Sequence, residues 1–132
     1  MFVCLCVSTV TFPSRADDTN VGTPKHGDVR LIPGPNSGRV DVFFNDSASL
    51  GWGTACGFFW TFDNAEVVCK QLGFDRANGF DLAIFSGDEI GTGPIGDFGC
   101  FGNEEHLSEC TQYTTPFFCD HTYDVSVSCI SE

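Results

Sequence analysis

The spacing of the eight cysteines constrains this chain more than any other feature of its sequence. They occupy positions 4, 6, 56, 69, 100, 110, 119 and 129, so six of them fall in the C-terminal part of the 132 residues. No two of those six have the separation of a zinc half-site, and the chain has 3 histidines to complement them. Widely spaced cysteines in a small chain are instead typical of disulfide bonds made in an oxidising compartment, here three. Spacing alone leaves the pairing of the six open.

Length and charge narrow the class of protein further. A chain of 132 residues has room for one domain. Its 18 acidic residues outnumber 6 Lys and Arg, which gives a formal net charge of -12 at pH 7. An acidic surface of this kind repels phosphate backbones, so we expect no nucleic-acid partner.

The N-terminus has the features of a secretory signal. Residues 2–10 form a short apolar run, and residues 14–16 (Ser-Arg-Ala) place small side chains where a signal peptidase would cut. We therefore predict a signal peptide over residues 1–16, whose removal takes Cys4 and Cys6 away and leaves a secreted chain. The alternative is that these residues are the cut end of a larger polypeptide or come from an imperfect gene model.

The rest of the chain shows the patterns of strands and of one helix. Residues 17–28 are polar and predict a flexible lead-in, and no later segment approaches the roughly 20 apolar residues of a transmembrane span. Residues 29–32 and 39–44 alternate apolar and polar side chains as half-buried strands do, and a third strand is expected over residues 52–56.

The helix is predicted over residues 63–72. Asp63 is expected to cap it, Glu66 to complete a capping box, and Gly73 to end it. One stripe faces the core at helical spacing and consists of Ala65, Val68, Cys69 and Leu72. A shorter turn is expected over residues 103–110, with Leu107 packed inward. Most aromatic side chains, including Trp52, Trp60 and the phenylalanines, are expected in the core.

Six blocks of the sequence, in order, resemble the signature of the scavenger receptor cysteine-rich (SRCR) domain. They are VRLIPGPNSGRVDV, WGTAC, DNAEVVCKQLGF, GTGPI, C-x-G-N-E-x-x-L-x-x-C and C-x-H-x-x-D-x-x-V-x-C, between Val29 and Ile130. We accordingly predict an SRCR-like domain over residues 29–131. The chain is similar to the six-cysteine group of this family, because the Asn36-Ser37 turn and Phe74 stand where the eight-cysteine group carries one further disulfide.

The resemblance implies both a disulfide pairing and a fold. The pairing that it implies is Cys56 with Cys119, Cys69 with Cys129, and Cys100 with Cys110. The implied fold class is α+β, a small disulfide-rich domain in which a curved antiparallel sheet cradles one α-helix, with Cys69 tying the helix to the C-terminal strand.

The resemblance also implies a place for a divalent cation. SRCR domains often hold calcium through a cluster of surface acids and use it to engage anionic ligands. Where the family often has two adjacent Asp after the WGT-x-C cysteine, this chain has Gly57-Phe58, and the loop before Cys100 looks about two residues short. Asp97, Asn103 and Glu104 remain as candidate ligands, whereas calcium takes roughly six oxygens. The sequence therefore predicts no strong calcium site, and the acids are interpreted as a solvated face.

Further residues bear on surface chemistry. Asn45-Asp46-Ser47 is an N-glycosylation sequon on a predicted turn. Phe58 and Phe59 are expected either to form an apolar contact with a partner or to fold under the surface, and the sequence leaves both open. Of the three histidines, His121 is interpreted as structural. No G-x-S-x-G or H-E-x-x-H motif is present, and we expect no enzymatic activity.

Together these features predict an extracellular recognition module without cofactor. Its expected ligands are a protein, a glycan or a microbial surface, bound by loops on a rigid scaffold. The alternative is an accessory, non-catalytic domain split from a larger secreted enzyme or membrane receptor, a setting that the SRCR resemblance also implies.

Overall fold

The structure is a computed structural model that describes residues 23–132. The predicted signal peptide over residues 1–16, with Cys4 and Cys6, therefore lies outside the described residues. The described part folds into the elements β1 (Val29–Pro33), β2 (Ser37–Asn45), β3 (Leu50–Ala55), α1 (Phe62–Gln71), β4 (Arg76–Leu82), α2 (Ala83–Ser86), β5 (Ile95–Gly99), β6 (Thr111–Tyr113) and β7 (Val125–Ile130). At 10 residues, α1 is the longer of the two described helices, and neither approaches a membrane-spanning length.

The strands form one curled sheet in the order β4-β7-β2-β3-β5-β6, with β1 added on β2. This arrangement confirms the small α+β class, and it adds one feature to the predicted antiparallel sheet. β3 and β5 run parallel, with Thr54 opposite Ile95, whereas the other pairs are antiparallel. Parallel neighbours need a long crossover, and the chain between β3 and β5 supplies one that contains α1 and β4.

β2 is the organising strand. It is 9 residues long, which is enough for β1 along one edge and for β7 and then β3 along the other. Its alternation places Val40, Val42 and Phe44 in the core at 0%, 0% and 2% exposure. Arg39 and Asp41 consequently project from the opposite face, where Arg39 Nε donates to the Asp41 carboxylate over 2.8 Å.

The cap of α1 differs from the prediction. Thr61, not Asp63, is the N-cap: its backbone is extended and its hydroxyl oxygen accepts from the backbone N–H of Asn64 over 3.2 Å. Asp63 lies inside the first turn. Glu66 reaches away from the helix start and accepts from the N–H of Ala77 over 2.5 Å, which ties α1 to β4. Gly73 ends the helix with φ 96°, as predicted.

A buried amide fixes the start of α1 against the sheet. Asn64 is fully buried, and its side-chain N–H donates to the carbonyl of Phe98 over 2.8 Å. Its side-chain oxygen accepts from the N–H of Cys100 over 2.9 Å. Buried side-chain hydrogen bonds of this kind fix relative positions, because moving the helix would leave polar groups unpaired. Asn64 therefore sets the position of the loop that follows β5.

The described residues contain three disulfide bonds, in the pairing that the family resemblance implies. Cys69 in α1 is bonded to Cys129 in β7, and neither residue is exposed to solvent. Cys56 is bonded to Cys119, and the remaining pair, Cys100–Cys110, closes a short loop. Inside that loop Leu107 is fully buried and starts a 3-10 turn, Leu107–Glu109, so the turn predicted over residues 103–110 is shorter than expected.

A flexible lead-in was predicted over residues 17–28, and its described part, residues 23–28, makes hydrogen bonds with the folded domain. Gly27 is buried, and its N–H donates to the carbonyl of Phe43 over 2.8 Å. Asp28 accepts from His106 Nε2 over 2.9 Å, and His26 Nδ1 accepts from the N–H of Asn45. The polar composition predicted nothing to bury, but these polar groups extend the hydrogen bonding of the sheet edge. The folded part therefore begins before Val29.

The expectation that most phenylalanines are core residues is wrong. Trp60, Phe44 and Phe98 are buried, whereas Trp52 is half-buried beside Arg30. Side chains at least two-fifths exposed are those of Phe58, Phe59, Phe62, Phe80, Phe85, Phe101, Phe117 and Phe118. Aliphatic residues of β2, α1 and β7 fill the core, so these rings remain outside it.

Candidate functional site

Five aromatic side chains converge at one end of the domain and are called the aromatic surface below: Phe58, Phe59, Phe117, Phe118 and Tyr123. Phe58 is central, with ring centroids 4.8 Å from Phe59, 4.9 Å from Phe118 and 5.6 Å from Tyr123, all edge to face. The exposed fractions are 51% for Phe58 and Phe59, 40% for Phe118 and 100% for Phe117. Solvent thus contacts a connected apolar area on the order of 500 Å², given the usual size of a phenylalanine.

Two separate segments carry the aromatic surface, and covalent and hydrogen bonds hold them together. The Cys56–Cys119 disulfide joins the segment before Phe58 to the one after Phe118. The N–H of Gly57 also donates to the carbonyl of Tyr123 over 2.6 Å. Because the backbone beneath the rings is tied on both sides, the aromatic surface is rigidly supported rather than carried on a loose loop.

Gly57 has no room for a side chain in this arrangement. A Cβ there would lie 2.5 Å from the carbonyl oxygen of Tyr123 and 2.8 Å from Leu82 Cδ2, both closer than real Cβ contacts. The position where the SRCR resemblance implies the first of two adjacent acids is therefore packed against the backbone, and the second is the exposed ring of Phe58. Phe58 and Phe59 are each 51% exposed, so neither ring is folded under the surface.

The charge beside the aromatic surface is negative. Asp120 lies between Phe118 and Tyr123 in the chain, is exposed, and caps the 3-10 turn His121–Tyr123. Hydrogen bonds from the side-chain hydroxyl and then the backbone N–H of Thr122 hold the pKa of Asp120 below its usual value, so it is ionised. Residues 56–62 and 115–124 contain no Lys or Arg.

Asp97, the first candidate cation ligand, is a strand residue. It lies in β5 opposite Tyr113 and is 6% exposed. Burial raises the pKa of its carboxyl, which disfavours the charged form that a cation would need. Asp97 is therefore placed in the sheet and not on an open acidic face.

Glu104 and Asn103 lie in the loop after Cys100. The Glu104 carboxylate accepts from the N–H groups of Phe101 and Gly102, each over 2.9 Å, and the hydrogen bond from Phe101 in particular lowers the pKa of Glu104. Asn103 is exposed, and both side chains line a cleft that they share with Lys70. Glu104 thus shapes its own loop, beside a positive charge that opposes a bound cation.

The three candidates lie in different elements, Asp97 in β5 and the other two in the loop after Cys100. Within the described residues, the group of potential metal-binding side chains whose ligand atoms lie within 4.8 Å of one another is Cys100, Glu104 and Cys110. Its two sulfur atoms are bonded to each other, so neither is a thiolate that could bind a metal. One carboxylate remains, whereas a calcium site takes about six oxygens.

We expect millimolar calcium to leave the melting temperature of the folded domain unchanged within about 1 °C. A ligand present at a hundredfold excess over its Kd would stabilise the fold by about 2.7 kcal/mol, which corresponds to several degrees for a domain of this size. Thermal unfolding followed by circular dichroism in calcium and in EDTA measures the difference. A reproducible rise of several degrees in calcium, with none in magnesium, would contradict the prediction.

Asp124 organises a buried polar network under the aromatic surface, which the sequence did not predict. Its carboxylate accepts from the Thr54 hydroxyl over 2.7 Å and from the N–H of Gly91 over 2.7 Å, and it contacts His121 Nδ1 at 3.0 Å. His121 Nε2 lies 2.9 Å from the carbonyl of Gly93. Both ring nitrogens therefore bind within the protein, as the structural interpretation of His121 requires.

The glycosylation candidate Asn45 ends β2 and is exposed. The turn after it is closed by Asp46, whose carboxylate accepts from the N–H groups of Ala48 and Ser49. An exposed asparagine at the start of such a turn is sterically accessible for glycan attachment, and its occupancy stays a prediction.

Comparison with known proteins identifies the family of this chain. The family model of the scavenger receptor cysteine-rich domain matches residues 33–130. An SRCR domain superfamily protein of Patiria pectinifera is 36% identical over 93% of this chain and 10% of its own length. The egg peptide speract receptor of Strongylocentrotus purpuratus is 30% identical over 98% of this chain and 24% of its own length. The macrophage receptor MARCO of Mesocricetus auratus is 34% identical over 77% of this chain and 20% of its own length. The chain thus spans at most a quarter of these relatives.

Solved structures agree with the sequence relatives. The third SRCR domain of murine neurotrypsin superposes with a TM-score of 0.62 at 37% identity, covering 77% of this chain and 94% of that one. The SRCR domain of mouse MARCO, in its dimeric form, superposes with a TM-score of 0.58 at 31% identity, covering 76% of this chain and 93% of that one. With the fold, the cysteine framework and the family model in agreement, the chain belongs to the scavenger receptor cysteine-rich domain family.

Proposed function

We propose that this chain is an extracellular recognition module that binds a protein partner through the aromatic surface. The observation that carries the proposal is the exposure of four phenylalanines in one connected patch of that surface. The largest contiguous apolar patch on a monomeric protein is typically about 300–600 Å² and is often functional, and the aromatic surface is of this size. The patch sits on a disulfide-tied support, which lowers the entropy lost on binding.

The relatives support this type of function. Two of them are named as receptors, the egg peptide speract receptor and the macrophage receptor MARCO, and a third is galectin-3-binding protein of Bos taurus, 34% identical over 82% of this chain. SRCR domains serve as non-catalytic recognition domains in such proteins. The relatives carry the domain within much longer chains, so the alternative role is that of an accessory module in a larger receptor. In that role the module would use the same aromatic surface for binding.

The proposal is tested by a paired substitution in the aromatic surface. Phe59→Ser with Phe117→Ser removes two exposed rings and leaves the central Phe58 in place. Each ring buried on binding contributes about 1.5–3 kcal/mol, so we expect the pair to weaken binding at least tenfold. The measurement is binding of immobilised extracellular proteins in an array, followed by surface plasmon resonance on the proteins that bind the wild type.

Phe101→Ser is the matched control. Phe101 is 84% exposed and lies in the loop after Cys100, outside the aromatic surface. We expect this variant to bind as the wild type does, and all variants to keep its melting temperature within a few degrees. Partners that bind the paired variant as tightly as the wild type would refute the assignment of the aromatic surface.

A further inference from the structure

We propose that the partner engaged by the aromatic surface is a cationic, amphipathic protein segment, one that carries Lys and Arg around an apolar stripe. This inference rests on the proposed function and adds the chemistry of the partner to it. It is the opposite of what the SRCR resemblance implies through a bound cation, namely an anionic ligand. The charge of the domain and the occupation of its basic side chains carry the argument.

The basic side chains of the described residues are already engaged. Ion pairs join Lys25 to Asp28, Arg30 and Arg39 to Asp41, and Arg76 to Glu132. The remaining one, Lys70, donates to the carbonyl of Gly102 over 3.4 Å, beside Glu104. An anionic ligand would therefore meet basic groups that, apart from Lys70, are already paired with a carboxylate.

The acidic side gives the complementary picture. The whole chain has a formal charge of -12, and the segments that carry the aromatic surface contain the exposed Asp120 and no Lys or Arg. A field of this sign attracts cations and repels polyanions, anionic membranes and a second copy of the chain. The apolar centre and the acidic rim formed by Asp120 match the general anatomy of a protein interface, in which the rim is polar.

The ring geometry favours a peptide over a neutral saccharide. Phe58 is packed edge to face against three neighbours, so the aromatic surface is a cluster of rings rather than one flat platform. Leucine-sized side chains fill the recesses between such rings, and Lys or Arg stems lie across exposed faces such as that of Phe117, where cation–π attraction adds to the contact. A segment that alternates these two kinds of side chain satisfies both the rings and the rim.

The area fits a short segment. An apolar centre on the order of 500 Å² is smaller than the roughly 800 Å² that each partner buries in a standard interface. Contacts from the acidic rim must complete such an interface, which makes the partner's basic groups part of the binding energy. Affinity should therefore fall as salt rises, because exposed ion pairs are screened.

The test uses four synthetic probes on the folded domain: an amphipathic peptide of Leu and Lys at helical spacing, the same peptide with Glu for Lys, the same peptide with Ser for Leu, and dextran sulfate. We expect the Leu–Lys peptide to bind with an affinity at least tenfold higher than that of each of the other three probes. Raising NaCl from 0.05 to about 0.5 M should weaken the binding of the Leu–Lys peptide severalfold, because the Debye length shrinks below about 5 Å.

Variants separate specific docking from general attraction to an acidic protein. Phe59→Ser with Phe117→Ser should weaken the Leu–Lys peptide at least tenfold, and Phe101→Ser should not. Asp120→Asn, which keeps a competent N-cap, should lower both the affinity and its salt dependence. Equal binding by the paired phenylalanine variant, or preferential binding of dextran sulfate or the Glu peptide, overturns the inference.

The two proposals can fail separately. If array partners depend on the aromatic surface but the Leu–Lys peptide does not bind, the function stands and the inference about partner chemistry fails. If array partners are unaffected by Phe59→Ser with Phe117→Ser, the proposed function itself fails. A glycan that binds in place of the peptide and loses affinity in the paired variant also overturns the cationic assignment while it leaves the aromatic surface as the site.

Discussion

Replacing Cys69 and Cys129 together by alanine is expected to lower the free energy of unfolding by about 4 kcal/mol. The two residues are separated by 60 positions, and an unfolded chain closed into a loop of that length has lost this amount of conformational entropy. Both sulfur atoms are fully buried, so the variant also loses packing between α1 and β7. A domain with a net stability of about 5–15 kcal/mol would keep only part of it.

The matched control is the double replacement of Cys100 and Cys110. These residues are only 10 positions apart, so the same entropy model gives about 2.7 kcal/mol. Urea unfolding of both double variants, with the wild type alongside, measures the difference. A smaller loss for the Cys69 and Cys129 pair than for the short-loop pair would show that the long bridge does not limit the unfolded chain in this way.

Asp124→Ala is expected to destabilise the fold by about 3 kcal/mol. The substitution leaves the Thr54 hydroxyl, the N–H of Gly91 and His121 Nδ1 without their shared acceptor, and Thr54 and Asp124 are at most 1% exposed. A buried donor without a partner loses hydration that nothing replaces. The segment around Gly91 should open first, because Asp124 attaches it to the sheet.

Two measurements check this expectation. Urea unfolding gives the loss in the free energy of global unfolding. Amide hydrogen exchange at Gly91 reports local opening, and its rate should rise by more than the global loss alone predicts. Asp63→Ala is the control, because that carboxylate is exposed in the first turn of α1 and contributes only about 0.5 kcal/mol through the helix dipole. Equal losses in the two variants would contradict the role given to Asp124.

The elements best predicted from sequence were those with a local cause. Alternation placed β1 and β2, because one face of each is buried, and Gly73 ended the helix through its left-handed conformation. The disulfide pairing came from the family resemblance, since cysteine spacing leaves it open. The N-cap was missed because Thr61 and Asp63 are both competent caps, and the backbone conformation at Thr61 decides between them.

The site was less predictable because it depends on contacts between distant segments. Phe58 and Phe118 are 60 positions apart, and only the Cys56–Cys119 bond makes them neighbours. Composition alone assigned such rings to the core, where valines already fill the space. The paired aromatic residues beside two cysteines were a usable signal, since side chains next to a bridge joining two loops are brought together when it forms.

The tight contact between Gly57 and Tyr123 limits which residues position 57 can accept. Any side chain there collides with a carbonyl oxygen, so the acid that the SRCR resemblance implies at this position does not fit the present backbone. A metal-dependent site here would require the backbone near Tyr123 to shift first, and that shift would weaken the support of the rings. The close packing that holds the aromatic surface in place therefore also excludes an acidic side chain from position 57.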